Sequence, residues 1–192
     1  MDTSRKPTSR DLELMPENGK LYEVIGGELY VSRPPSWEHQ YTCVQIASAL
    51  NAWSKQTGLG STNAAPGLIF AEDDDVAPDV VWISRQNLAT ALEADRKLHA
   101  APELIVEVLS PGLANQQRDR QTKLKLYSRR AVQEYWVVDC ERRQIEIYRR
   151  DQGTLALEAT LLAQDTLASQ LLPGFSCPVA DLFFQIPPPS KG

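Results

Sequence analysis

Two acidic residues stand where the surrounding sequence predicts buried strands. Glu107 lies inside the apolar run LIVEVL of residues 104–109, and Asp79 comes directly before the apolar segment VVWI of residues 80–83. An ionised carboxylate buried in such a run is strongly destabilising unless a cation or a metal compensates its charge. Taken singly, a salt bridge would explain Glu107 and a solvated strand start would explain Asp79.

Together, the two acids indicate a metal site. Their separation of 28 positions (107 − 79) leaves enough chain to turn back and pair the two strands side by side. Two carboxylates on adjacent strands form a hard oxygen site that suits Mg²⁺ or Mn²⁺. No clustered His or Cys ligands are apparent in the sequence, so zinc is not expected.

Lys123 lies on a predicted helix that follows the second acid. At about 100° per residue, Leu126 and Tyr127 fall about 60° and 40° on either side of Lys123, which places the lysine inside the apolar arc. Lys125 and Arg129 point the opposite way. A lysine on a core-facing arc can simply neutralise a buried acid such as Glu107 or Asp119, or its ammonium can stabilise the charge of a phosphoryl transition state.

The same helix is strongly basic. Residues 118–130 carry net +5 in a chain of net −5, which predicts a local surface for a phosphate backbone. We select Arg120 and Arg130 as substrate contacts, with His39 at the start of an earlier helix as a third. The alternative is a solvated helix surface whose cations interact with the helix dipole. The basic residues are Arg118, Arg120, Lys123, Lys125, Arg129 and Arg130.

The elements that must position these groups are of both types. Gly26-Gly27 predicts a hairpin turn between two strands, and apolar spacing of three and four residues predicts a helix that starts after Ser36 and ends at Gly58. An α/β (α+β) fold follows, with a mixed central sheet flanked by two or three helices. Strands are predicted at 21–25, 28–32, 67–71, 80–83, 104–109, 134–139 and 144–149, an acidic turn at 72–75, and a second helix at 113–130.

Composition sets the remaining limits. The net charge of −5 over 192 residues argues against an overall electrostatic grip on nucleic acid or anionic lipid. The sequence shows no membrane span and no secretory signal, so we expect a cytoplasmic protein. The three cysteines are expected to be reduced packing residues. We predict a mobile arm over 1–18, one domain over 19–185 and a Pro-rich tail over 186–192.

Several segments, taken in order, resemble the putative restriction endonuclease family of the PD-(D/E)XK nuclease superfamily. They are YEVIGGELYV (22–31), PSWEHQ (35–40), APDVVWIS (77–84), APELIVEVLSP (101–111), RDRQTKLKLY (118–127) and VQEYWVVD (132–139). The resemblance implies a restriction-endonuclease-like core and hydrolysis of DNA phosphodiesters with a divalent metal. The chain departs from the family pattern at Gly112-Leu113, Ala131 and Cys140, which affects loop shape rather than chemistry.

The resemblance also implies roles for single residues. Asp79 and Glu107 match the family's metal-binding acids. The superfamily lysine usually stands two residues after the second acid, where this chain has Leu109, and Lys123 matches the position on the following helix instead. Glu28 matches the glutamate of the family's GEL motif and His39 its helix-start histidine. From strand alternation alone, either Glu23 or Glu28 could reach the site.

These observations predict a metal-dependent endonuclease with Asp79, Glu107, Lys123 and Glu28 in the catalytic site, DNA and Mg²⁺ or Mn²⁺ as partners, and a possible homodimer. One alternative is a catalytically silent nucleic-acid-binding module on the same fold. A second, a glycosidase with paired carboxylates, needs a cleft lined by aromatic residues. The four tryptophans are instead predicted to lie in the core.

Overall fold

The computed structural model describes residues 5–185. The helices are α1 (Ser9–Leu12), α2 (Trp37–Thr57), α3 (Arg85–Ala91), α4 (Leu113–Gln117) and α5 (Leu124–Arg129), with a π-helical segment (Arg118–Lys123) joining the last two and a 3-10 turn at Val179–Leu182. The strands are β1 (Leu21–Ile25), β2 (Glu28–Ser32), β3 (Gly60–Ala64), β4 (Leu68–Ala71), β5 (Asp74–Val76), β6 (Val80–Ser84), β7 (Leu104–Val108), β8 (Glu134–Asp139), β9 (Gln144–Asp151), β10 (Thr154–Leu162), β11 (Thr166–Ala168) and β12 (Ser176–Pro178).

A six-stranded sheet forms the centre of the molecule, in the order β10-β9-β8-β7-β6-β3. β7 and β8 pair in parallel, and the other neighbouring strands of this sheet pair antiparallel. The crossover between the two parallel strands consists of α4, the π-helical segment and α5. This arrangement confirms the predicted mixed central sheet flanked by helices.

Side-chain alternation along β7 separates the two faces of the central sheet. Leu104, Val106 and Val108 pack with apolar residues of α2, such as Ile46. On the opposite face, Ile105 packs with residues of α5 and the first hairpin. Glu107 therefore points toward the layer that contains α5.

A second, smaller sheet covers part of that opposite face, in the order β2-β1-β5-β4. The predicted hairpin of β1 and β2 is present, with positive φ at both Gly26 and Gly27. The predicted acidic turn over 72–75 is shorter than expected, because Asp74 and Asp75 belong to β5 and pair with β1. The Asp74 carboxylate is buried but accepts hydrogen bonds from the Gly26 amide and the Arg130 guanidinium, which compensates its charge inside the strand.

α2 begins and ends where the sequence predicts. The Ser36 hydroxyl accepts a hydrogen bond from the His39 amide, and Gly58 takes a left-handed conformation with φ of 66°. Trp53, Trp82 and Trp136 are buried as expected, whereas Trp37 is 70% exposed because it lies in the first turn of α2. The expectation that all four tryptophans belong to the core is therefore wrong for Trp37.

The amino-terminal segment is partly structured. In the stretch predicted to be a mobile arm, α1 lies against the second sheet, where the Ser9 amide donates to the Glu72 carbonyl and the Ser9 hydroxyl donates to Asp75. Residues 1–4 and the predicted tail at 186–192 lie outside the described residues. Over residues 5–185, no helix is long and apolar enough to cross a membrane.

Candidate active site

Asp79 and Glu107 lie side by side at one end of the central sheet. Val80 of β6 pairs with Val106 of β7, so the next position along places Asp79 opposite Glu107. The Asp79 Oδ2 atom accepts a 2.8 Å hydrogen bond from the Val108 amide, which fixes the carboxylate across the strand end. The side chain of Asp79 remains 24% exposed, whereas Glu107 is buried.

Lys123 connects this acidic pair to the first hairpin. Its Nζ atom lies 2.9 Å from Glu107 Oε1 and 2.9 Å from Glu23 Oε1. The Tyr127 hydroxyl donates a further 2.7 Å hydrogen bond to the same Glu107 oxygen. Lys123 is only 2% exposed, so the predicted core-facing lysine is buried between two carboxylates.

The helix that carries Lys123 is irregular at this position. The predicted continuous helix is instead α4, a six-residue π-helical segment and α5. π-Helical insertions within α-helices are frequent at functional sites. The segment buries Asp119 together with Lys123, and the Tyr135 hydroxyl donates to the Asp119 carbonyl, which anchors the segment to the central sheet.

Glu23 and Arg118 complete the polar cluster. Glu23 Oε1 accepts hydrogen bonds from the Ala77 amide and Lys123, while Glu23 Oε2 is buried and has no hydrogen-bond partner among the described residues. The Arg118 guanidinium lies 3.9 Å from that Oε2 atom, too far for a hydrogen bond. It is held instead by Asp119 at 3.2 Å and by the Ser32 hydroxyl at 2.7 Å.

The cluster carries an excess of negative charge. Four carboxylates line one cavity of about 210 Å³ together with the buried Lys123 and Arg118, so full ionisation gives net −2 from these six groups. Burial raises the pKa of Glu107; Lys123 opposes this effect, while Asp79 and Asp119 add to it. Burial lowers the pKa of Lys123, but the surrounding carboxylates outweigh burial and raise it. The carboxylates are Glu23, Asp79, Glu107 and Asp119.

A divalent cation fits this charge balance. It would offset the net −2 of the cluster, and Asp79 and Glu107 are oxygen donors of the type that Mg²⁺ and Mn²⁺ prefer. The hydrogen bonds from Lys123 and Tyr127 engage only Oε1 of Glu107, which leaves its second oxygen for a ligand. The orphaned Glu23 Oε2 also indicates a cluster that is incompletely compensated by protein groups alone.

His39 lies beside Asp79 at the start of α2. Its Nε2 atom is 3.4 Å from Asp79 Oδ2, and its Nδ1 atom is 3.6 Å from the sulfur of Cys43, one helical turn further along. Burial lowers the pKa of His39, but the Asp79 carboxylate outweighs burial, so the pKa is raised overall. Clustered His and Cys ligands were not expected from the sequence, yet His39, Cys43 and Asp79 place three possible ligand atoms within 4.8 Å of one another.

Three residues predicted at the site lie elsewhere or are already paired. Glu28 is exposed at the turn end of the hairpin and accepts a hydrogen bond from Tyr30. It lies two pairs beyond the Glu23–Tyr30 pair, which is about 7 Å along the strand. Glu23, and not the Glu28 predicted from the family resemblance, therefore contacts the cluster.

The two arginines selected as phosphate contacts bind acids of the chain. Arg120 lies 3.2 Å from Asp139 and 3.0 Å from Glu146. Arg130 lies 2.6 Å from the buried Asp74. Both guanidinium groups thus have partners within the fold, and neither lines the cavity that contains Asp79 and Glu107.

Sequence reasoning underestimated four members of the cluster. Glu23 was one of two open candidates, and cross-strand distance from the hairpin turn could have separated it from Glu28. Asp119 had a signal in the helical angle that it shares with Lys123. Arg118 and Tyr127 carried no signal that distinguished them from the neighbouring basic and apolar residues.

A mixed sheet with two acids on adjacent strands and a lysine from the crossover helix defines a protein of the restriction-endonuclease-like class. The chain belongs to the Uma2 family, described as "Putative restriction endonuclease", whose profile matches residues 9–180. At the level of the family, this is a nuclease. No curated protein matches the chain.

A solved structure shows the same fold. It is the crystal structure of a putative nuclease belonging to DUF820 from Anabaena variabilis ATCC 29413, and it aligns with a TM-score of 0.75. The two proteins are 18% identical, and the alignment covers 92% of this chain and 97% of the other. At this level of identity the likeness supports the fold.

Proposed function

We propose that the chain is a divalent-metal-dependent endonuclease that hydrolyses DNA phosphodiester bonds. The observation that carries the proposal is the cluster at the end of β6 and β7, where Asp79 and Glu107 face one cavity with the buried Lys123. The desolvation of a buried lysine and its carboxylates can exceed the gain from their attraction, so stability alone is a weak explanation for this cluster. The family assignment supports the reaction class.

Asp79 and Glu107 would hold Mg²⁺ or Mn²⁺. When bound, the cation supplies Lewis acidity at the phosphate and lowers the pKa of a water molecule. Asp79 is oriented by the Val108 amide, and Glu107 is oriented by Tyr127 and Lys123. These contacts hold both carboxylates before the substrate arrives, which is the requirement for a preorganised site.

Lys123 would stabilise the negative charge that develops on the phosphate. Its ammonium stays protonated at neutral pH because the surrounding acids raise its pKa. Glu23 also contacts the ammonium, at 2.9 Å, and thereby helps to position it. His39 contacts Asp79. Arg33 lines the same cavity and is exposed to solvent, so its guanidinium is available to contact the DNA backbone.

The substrate surface in this proposal differs from the basic helix stretch expected from sequence. Arg120 and Arg130 are ion-paired, so the exposed Arg33, which lines the same cavity as Asp79 and Glu107, replaces them as the candidate phosphate contact. The proposal also includes a cytoplasmic location. Cleavage of both strands at a specific site would require two active sites, which a homodimer would supply.

Titration calorimetry with Mn²⁺ and a plasmid-nicking assay test the proposal on the same samples. We expect Asp79→Asn and Glu107→Gln to abolish both metal binding and nicking. Asp151→Asn, an exposed carboxylate at the end of β9, is the matched control and should retain both. An absence of metal binding by the wild type, with or without DNA, would favour the catalytically silent binding module instead.

A further inference from the structure

A second type of metal ligand lies next to the proposed Mg²⁺ site. His39 and Cys43 are four residues apart on α2, so their side chains share one helix face, and Asp79 approaches that face from the start of β6. His39 and Cys43 are both buried, and Asp79 is partly exposed. One ligand atom from each residue can be chosen so that all three lie within 4.8 Å of one another.

The spacing within this trio suits a tetrahedral metal. Ligands bonded to zinc at about 2.3 Å for sulfur and about 2.0 Å for nitrogen lie about 3.5 Å apart. The observed separation between Cys43 Sγ and His39 Nδ1 is 3.6 Å. The Asp79 Oδ2 atom lies 3.4 Å from Nε2 of the same ring, so a change in the side-chain conformations of His39 and Asp79 brings the carboxylate into the same coordination sphere.

The ligand chemistry separates this trio from the oxygen site. Thiolate is a soft donor and imidazole a borderline one, and both suit zinc and related transition metals, whereas Mg²⁺ prefers oxygen ligands. One thiolate and one carboxylate would also neutralise the charge of a divalent ion. On binding, the Cys43 thiol releases its proton to solvent.

The trio has access to solvent and space for a fourth ligand. Cys43 and Asp79 line a cavity of about 340 Å³ between α2 and β3. Three protein ligands with an open fourth position form the coordination pattern of an accessible zinc site rather than a closed structural one.

We propose that His39, Cys43 and Asp79 form a binding site for Zn²⁺ or a similar thiophilic ion, and that this ion competes with Mg²⁺ for Asp79. The inhibitory part of this inference rests on the proposed nuclease function, whereas the binding part does not. Both ions would use the Asp79 carboxylate as a ligand, so zinc bound by the trio would compete with Mg²⁺ for this residue. The site would therefore reduce nuclease activity when zinc is available.

Cobalt substitution tests the binding part without any assay of activity. Co²⁺ added to the reduced, full-length protein should give a thiolate-to-cobalt charge-transfer band in the near ultraviolet and tetrahedral visible bands. Cys43→Ser should abolish the charge-transfer band, and His39→Gln should change the visible bands. Cys177→Ser is the control for a thiol outside the site and should leave the spectrum unchanged, with folding of each variant checked by its melting temperature.

Zinc inhibition tests the competition. The Zn²⁺ concentration that halves Mg²⁺-dependent nicking should rise at least tenfold in Cys43→Ser, with each protein normalised to its own rate without zinc. A wild-type protein that lacks the cobalt band, or a band that survives in Cys43→Ser and disappears in Cys140→Ser, would overturn the assignment. A cobalt band without any nicking in Mg²⁺ would refute the nuclease proposal and leave the zinc site standing.

Discussion

Replacement of Lys123 by Met tests how the buried charges stabilise the fold and the site. The substitution keeps the length of the side chain but removes the only group that contacts both Glu23 and Glu107 among the described residues. Loss of one partner from a buried ion pair typically costs about 3–5 kcal/mol, because the remaining charge stays buried and uncompensated. For a chain of this size, about 2–4 °C of melting temperature corresponds to each kcal/mol.

The expected decrease in melting temperature for Lys123→Met is therefore about 6–20 °C. Lys125→Met is the matched control, since Lys125 is exposed on the same helix and should change the melting temperature very little. The loss should also depend on pH. Without Lys123, the already raised pKa of Glu107 rises further, so the folded variant binds a proton more tightly than the unfolded chain and gains stability as the pH falls.

Thermal unfolding at several pH values, followed by circular dichroism, measures both effects. We expect the difference between Lys123→Met and the wild type to be larger at pH 9 than at pH 6. The double variant Lys123→Met/Glu107→Gln should recover part of the loss, because it removes one of the two buried charges. A decrease no larger than that of Lys125→Met, or one that is constant with pH, would refute this account of the cluster.

Three further predictions concern single residues. Affinity for Mn²⁺ should increase as the pH is raised toward the Glu107 pKa, because bound metal displaces a proton from a carboxyl whose pKa is raised. Calorimetry in buffers of different ionisation enthalpy would show the proton release. Glu23→Gln should reduce plasmid nicking by about 10²-fold or more, because it misplaces the charge-stabilising lysine. Glu28→Gln should leave nicking unchanged. Equal effects of the two substitutions would contradict the placement of these residues. Arg130→Gln should lower stability by about 1–3 kcal/mol, because Asp74 stays buried, and should leave DNA affinity in a filter-binding assay unchanged.

Local signals predicted much of the fold. The first hairpin and α2 could be placed from the sequence. Gly26, Gly27 and Gly58 adopt positive φ values that few other residues tolerate, and Ser36 is a residue type that caps the start of a helix. The run around Glu107 indicated a strand covered on both faces, and all five residues of β7 are buried.

Elements that depend on tertiary partners were missed. β3 has the sequence GSTNA and becomes a strand only because β6 offers an edge for pairing. β5 begins with Asp74 and Asp75, residue types that are typical of a turn. It forms a strand because hydrogen bonds from Gly26 and Arg130 compensate the buried Asp74 carboxylate. Strands β10, β11 and β12 were also missed. β10 is largely exposed, and β11 and β12 have only three residues each, so all three give weak patterns.

The site was predicted in part for a similar reason. Helical periodicity indicated that Lys123 faces the core, and the acid within β7 indicated a partner, but sequence could not show that Glu23 also binds this lysine. The pairing of Arg120 and Arg130 with acids of the fold depends on contacts between distant segments, such as the 56 positions between Arg130 and Asp74. Their basic character alone therefore suggested a substrate surface.

The separation of the site residues along the chain has a consequence for how the protein becomes active during synthesis. Glu23, Asp79, Glu107 and Lys123 come from β1, the start of β6, β7 and the crossover helix, and a complete cluster needs all four. A growing chain that stops before the crossover helix has every carboxylate of this group but lacks its ammonium. Cleavage activity should therefore appear only after the ribosome has released the crossover helix and β8 has closed the sheet beside β7, and truncated translation products should be inactive.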